Sequence, residues 1–185
     1  MKTNSFKKWQ ELRSDRIKKY AQILDANHSV LLKDDVHVRP IVMQMVRIVS
    51  EVGPLHSSVI WRSNLAIEEI GQIIYPSPSA YDEHCWKNKN LKHEHIVPCK
   101  AVYEMLLNRS KDKSFNESKA FDYYKMILNR FCIRATITIK EDKCLNKLGL
   151  RTEMPNGLSD SSSDPFARYK KAQIKGVFFK FLDVE

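Results

Sequence analysis

The segment Phe131-Cys132-Ile133-Arg134-Ala135-Thr136-Ile137-Thr138-Ile139 constrains the fold more than any other. Its alternation and its β-branched residues are those of a strand with one face in a core. A strand cannot stand alone, because its backbone donors and acceptors need partners. The rest of the chain is mostly of helical character. Phe6, Trp9, Leu12, Ile17, Tyr20, Ile23 and Leu24 recur at three- and four-residue spacing, predicting a helix from Ser5 to about Ala26. A second helix, opened by Asp34 or Asp35 and closed by Gly53-Pro54, is apolar on more than one face and therefore central. Residues 57–75 read as a third helix, with a short strand at Ser58–Trp61 as the alternative. After the break at Pro76-Ser77-Pro78-Ser79 the pattern gives a short strand at Leu91–Pro98 and a helix at Cys99–Asn108. Further helices follow from Asn116 or Ser118 to Asn129, at Glu141–Leu148 and at Asp164–Ala172, then a terminal strand at Val177–Phe181.

The expected class is thus α+β, an α-rich single domain over residues 1–185 with a small β element in its C-terminal half. Residues 1–75 form a helical N-terminal part, 80–150 the portion that carries the chemistry, and 151–185 a C-terminal helix and strand. No run reaches the roughly 18 apolar residues of a membrane span, and the N-terminus has no apolar signal stretch, so a cytoplasmic protein is expected. Cys85, Cys99, Cys132 and Cys144 are separated by 14, 33 and 12 residues, which fits no zinc-finger or redox spacing. Reduced thiols, buried at Cys132 and Cys144, are the expectation for a cytosolic chain.

Charge narrows the partners. The chain has 31 Lys plus Arg and 22 Asp plus Glu, a net +9, but residues 51–97 carry 4 basic and 6 acidic groups, a net −2. A basic body around one acidic island would draw in phosphates and hold a cation, which points to nucleic acid, DNA or RNA, as partner. The alternative is a solvated, lysine-rich surface. A homo-oligomer or a protein partner is compatible with the same composition, and a membrane is not.

Within that island lies Leu91-Lys92-His93-Glu94-His95-Ile96-Val97-Pro98, three adjacent side chains of metal-ligand and acid–base type at the end of a strand. Glu94-His95-Ile96-Val97-Pro98 resembles the HNH, or ββα-metal, nuclease superfamily, in which a strand commonly ends in an acid, a histidine, two aliphatics and a proline. Strand 132–139 running into Lys140-Glu141-Asp142-Lys143-Cys144-Leu145-Asn146 has the order of that family's second strand and helix. More than 30 residues and two predicted helices separate the two strands here, where the family has a short connection.

The resemblance implies a ββα-metal-like core within 80–150 and hydrolysis of phosphodiester bonds. His95 would take the proton of water as general base. Glu94, with Asp142 or Asn146, would hold Mg²⁺ or Mn²⁺, and Zn²⁺ only if His93 joined the set. Arg134 or Lys140 would clamp the phosphate. A compact nuclease of this kind suits a restriction, toxin or phage-defence effector.

Consecutive residues on a regular strand face opposite ways, so Glu94 and His95 converge only where the strand is ending. If it continues, His93 and His95 become the pair, and a metal-independent ribonuclease using them with Arg134 or Lys140 is the alternative. A noncatalytic nucleic-acid-binding or regulatory protein is the other. Each group also has a structural reading: a hydrogen-bonded strand-end histidine for His95, first-turn acids for Glu141 and Asp142, and ordinary surface or capping roles for His28, His37 and His56. Tyr81 and Trp86 anchor a loop or stack on bases, and Arg168-Tyr169-Lys170-Lys171 reads as a solvated helix face.

Overall fold

The computed structural model describes residues 4–31, 36–50, 59–70, 88–110, 120–155, 157–158 and 162–178. In chain order these form α1 (Asn4–Ala26), α2 (His28–Leu31), α3 (Val38–Ser50), β1 (Val59–Ser63), α4 (Asn64–Ile70), β2 (Leu91–His95), α5 (Cys99–Ser110), α6 (Ala120–Phe131), β3 (Arg134–Thr138), α7 (Ile139–Lys147), α8 (Ala167–Lys171) and β4 (Gly176–Phe178). The α-rich α+β class is the one observed. The expected helix starts at Asp34 or Asp35, Asn116 and Ser118, the stop at Gly53-Pro54, and Cys85, Tyr81, Trp86 and His56 lie outside the described residues.

One sheet of order β2-β3-β1-β4 organises the described chain. β2 and β3 are antiparallel, β1 and β3 parallel, and β1 and β4 antiparallel. The sheet therefore is not confined to the C-terminal half, because β1 comes from the part expected to be helical. The strand alternative at Ser58–Trp61 was the better reading, and the helical pattern begins only at Asn64. β-branched Val59 and Ile60 with Trp61 fit a pleated surface, and Trp61 is buried.

β3 is buried along its whole length, as a strand with neighbours on both edges is. Its polar residues Arg134, Thr136 and Thr138 alternate with Ala135 and Ile137, so one face of the strand is polar although enclosed. Gly176 admits the last strand: a Cβ there would lie 2.1 Å from the Arg62 carbonyl oxygen. The helices form a layer in which α1 packs on α6 and α3 on α5. Ile17, Ala21, Leu24, Val46, Leu106, Tyr124, Ile127 and Leu128 belong to the same core as Ile137 and Leu145. Arg13 ties α1 to the end of α6 by donating to the Asn129 side chain at 2.6 Å and to the Cys132 carbonyl at 3.3 Å. Among the described residues, no helix is long and apolar enough to cross a membrane, and Cys99, Cys132 and Cys144 are free thiols, the first two buried.

Candidate functional site

β2 stays regular to its end. Its residues pair one for one with β3, from Leu91 opposite Thr138 to His95 opposite Arg134. The pairing even continues beyond His95, as the Ile96 N–H donates to the Ile133 carbonyl at 2.9 Å. Alternation therefore sends His93 and His95 to one side of the sheet and Lys92 and Glu94 to the other.

On the histidine side, His93 stands opposite Thr136 and His95 opposite Arg134, while Arg62 of β1 is in register with Thr136. The Thr136 hydroxyl and His93 Nδ1 share a hydrogen bond of 3.0 Å. Arg62 and Arg134 are buried and both histidines are half-buried. Burial, followed by the charges of Arg134, Arg47 and Arg168, depresses the pKa of His95 from 6.5 to about 3. The ring is therefore neutral at physiological pH, and its Nδ1 is buried without a hydrogen-bond partner among the described residues. Arg47 acts from the exposed side of α3.

The other side is built differently. The Glu94 carboxylate accepts from the Arg168 guanidinium at 3.0 Å and from the Tyr169 hydroxyl. Arg168 is 1% exposed and also donates to the carbonyls of Ile96 at 2.7 Å, Leu150 at 3.0 Å, Arg151 at 3.3 Å and His95. Tyr169 stacks on Trp61 with ring centres 5.0 Å apart. Lys92 meets Asp142 of α7 at 2.6 Å. Desolvation is the largest influence on Glu94 and raises its pKa; Arg168 and the Tyr169 hydrogen bond oppose that, and the Asp142 charge adds to it. Next to Asp142, Glu141 closes α7 with a capping box: its carboxylate accepts from the Thr138 N–H at 2.8 Å, and the Thr138 hydroxyl accepts from the Glu141 N–H at 3.2 Å. The Ser63 hydroxyl donates to the same carboxylate at 2.6 Å.

Across 48 positions of sequence the Asp142 charge bears on Glu94, while His95 lies on the opposite side of the sheet. Asn146, one turn beyond Asp142 on α7, is exposed. Arg134 faces His95, whereas Lys140 stands in the first turn of α7 at the far end of β3. A cation on Glu94 and Asp142 would have to share these carboxylates with Arg168, Tyr169 and Lys92, and it would lie on the opposite side of the sheet from His95. Among the described residues no three His, Cys, Asp or Glu side chains are grouped to hold a metal ion.

Sequence reasoning missed four participants. Arg168 and Tyr169, read as a solvated face, are among the most buried side chains of the protein. The error has a physical cause: charge was taken as exposure, but this guanidinium finds acceptors throughout its surroundings. Arg62 and Arg47 sit in elements with no motif of their own. The signal available for Arg62 was a lone cation inside an apolar strand, Val59-Ile60-Trp61-Arg62. His28, by contrast, is engaged as an ordinary partner, sharing a 2.5 Å hydrogen bond with the Tyr124 hydroxyl.

No protein-family model matches the chain, and no curated protein and no solved structure matches it significantly.

Proposed function

We propose that the protein is a ribonuclease that works without a metal at the face formed by His93, His95 and Arg134. The observation that supports this is a neutral, half-buried imidazole with an unpartnered ring nitrogen, held on a paired strand in the field of guanidiniums. Side chains two apart on a strand are about 7 Å apart, which leaves room for a phosphate between His93 and His95. His95 takes the proton of the RNA 2′-hydroxyl, and the 2′-oxygen attacks phosphorus. The 5′-oxygen leaves with a proton donated by His93. The products are a 2′,3′-cyclic phosphate and a 5′-hydroxyl, so atoms and protons balance. Arg134 offsets the charge gathering on the phosphate oxygens. Burial is the larger cause of the depressed His95 pKa, and a bound phosphate offsets the smaller, guanidinium share of it, raising the basicity of the ring.

A second reading uses the opposite face, where the charges of Glu94 and Asp142 bear on one another. Mg²⁺ or Mn²⁺ held there, with Asn146 in reach, would make hydrolysis of DNA or RNA metal-dependent, and His95 would have no part in it. The deciding experiment incubates the purified protein with single-stranded RNA and plasmid DNA, in EDTA or with Mg²⁺ or Mn²⁺. RNA cleavage in EDTA that needs His95 supports the ribonuclease. Cleavage only with added metal, lost in Glu94→Ala and kept in His95→Ala, would support the metal site. Binding without cleavage in any condition would mark a nucleic-acid-binding protein.

A further inference from the structure

A cleft of about 400 Å³ opens at the far end of the sheet from His95, lined by Asn64, Leu65, Lys140, Cys144, Ile174 and Lys175. Its place in the topology is specific. β1 and β3 are the parallel neighbours of the sheet, and the cleft lies where both end: Asn64 follows the last residue of β1, and Lys140 is the second residue after β3. At these carboxyl ends the chain turns away into α4 and α7 and leaves a crevice.

The walls are firm and the rim is charged. The Asn64 N–H donates to the Lys175 carbonyl at 2.8 Å, and the Ile174 N–H to the Tyr169 carbonyl at 2.8 Å. Gln173, also on the wall, has φ 58° because it ends α8: its N–H donates to the Lys170 carbonyl at 3.0 Å, the usual left-handed helix stop. Lys140 and Lys175 are exposed, and among the described residues neither meets a carboxylate. Glu141, the acid on the wall, has its carboxylate committed to Ser63 and Thr138. Leu65 and Ile174 give the cleft an apolar surface alongside Lys140, Lys175, Asn64 and Gln173. Such a combination suits an anion attached to a flat, partly apolar body.

We infer that this cleft binds a small phosphorylated molecule of nucleotide size, with its phosphate at Lys140 and Lys175 and its ring system against Leu65 and Ile174. The site stands apart from the face proposed for RNA cleavage and does not depend on that proposal. The test is calorimetric titration of the full chain with AMP and CMP, and with adenosine and inorganic phosphate as the separate halves. Saturable binding of a nucleotide, at least about tenfold tighter than either half, is expected. The double variant Lys140→Glu, Lys175→Glu should weaken it by at least about tenfold, because each exposed lysine is exchanged for a repelling charge. Both positions are exposed, and thermal melting checks that the variant folds. His95→Ala and Arg134→Ala should leave the affinity unchanged. Absence of nucleotide binding at millimolar concentration, binding equal to that of adenosine alone, or indifference to the lysine changes would overturn the inference. Binding lost in Arg134→Ala would do so too, by placing the nucleotide at the RNA face.

Discussion

Glu94 and His95 are neighbours in sequence, yet they sit in opposite environments. Glu94 is enclosed with Arg168 and Tyr169, and Arg168 in turn satisfies four backbone carbonyls. His95 is half-buried and neutral, surrounded by positive charge, and has a ring nitrogen with nothing to bind among the described residues. The first is a buried charge compensated by partners from the C-terminal helix, which is how a protein fixes the position of a strand. The second is an acceptor in a field that favours anions, the setting on which the proposed ribonuclease rests. Two adjacent polar residues thus differ in kind, and burial with partners separates structure from chemistry better than residue type does.

The contrast breaks most visibly at Arg168. Arg168→Ala strands the Glu94 carboxylate and several carbonyls, and should cost about 3–5 kcal/mol of stability in urea unfolding. Arg168→Lys should recover little, since one ammonium cannot reach the acceptors that a guanidinium fork spans. A loss below about 1 kcal/mol would mean that the strand is held by other contacts.

Glu94→Gln is milder. The amide oxygen still accepts from Tyr169, but the buried guanidinium loses its counter-charge, so a loss of about 2 kcal/mol is expected from the same measurement. No change would remove the ion pair from the account.

Acid provides a probe of the other face. His95 binds a proton less readily folded than unfolded, so its contribution to stability is complete above about 6.5 and disappears as pH falls toward about 3. Between those values the slope from this group approaches ~1.4 kcal/mol per pH unit, and His95→Gln should flatten the stability curve by that amount. The raised pKa of Glu94 acts with the opposite sign, favouring the native state toward acid and losing that benefit as pH rises through its folded value. A His95→Gln curve parallel to the wild type would show that the imidazole is not held neutral.

The smallest effect concerns RNA affinity. Arg134→Ala should weaken binding to single-stranded RNA by about 1 kcal/mol and reduce the dependence on salt by about one phosphate contact. Lys100→Ala, on α5, should change neither. Equal behaviour of the two variants would mean that phosphate contacts are spread over the whole basic surface.

Much of this was legible in the residues. β3 was marked by its β-branched run, α7 by Glu141 and Asp142 after a threonine, and the nearness of β2 to β3 by the family-like order of strand, strand and helix. β1 was not, because Val59-Ile60-Trp61 is too short an apolar run to tell a strand from a helix start, and only pairing with β3 decides it. The sidedness of Glu94 and His95 hung on whether the strand ended before His95. It does not, because the Ile133 carbonyl extends the pairing past His95. Arg168 was illegible for a different reason: its acceptors, from residues 94–96 and 150–151, are gathered by the tertiary fold and leave no local pattern.

Whether the His95 face performs chemistry is read most directly from the 3′ ends of single-stranded RNA after incubation with the protein in EDTA. Wild-type protein should leave 2′,3′-cyclic phosphates, while His95→Ala, folded by its melting curve and still binding RNA, should leave the RNA intact. Intact RNA with the wild type in EDTA, or equal cleavage by His95→Ala, would contradict the proposed chemistry.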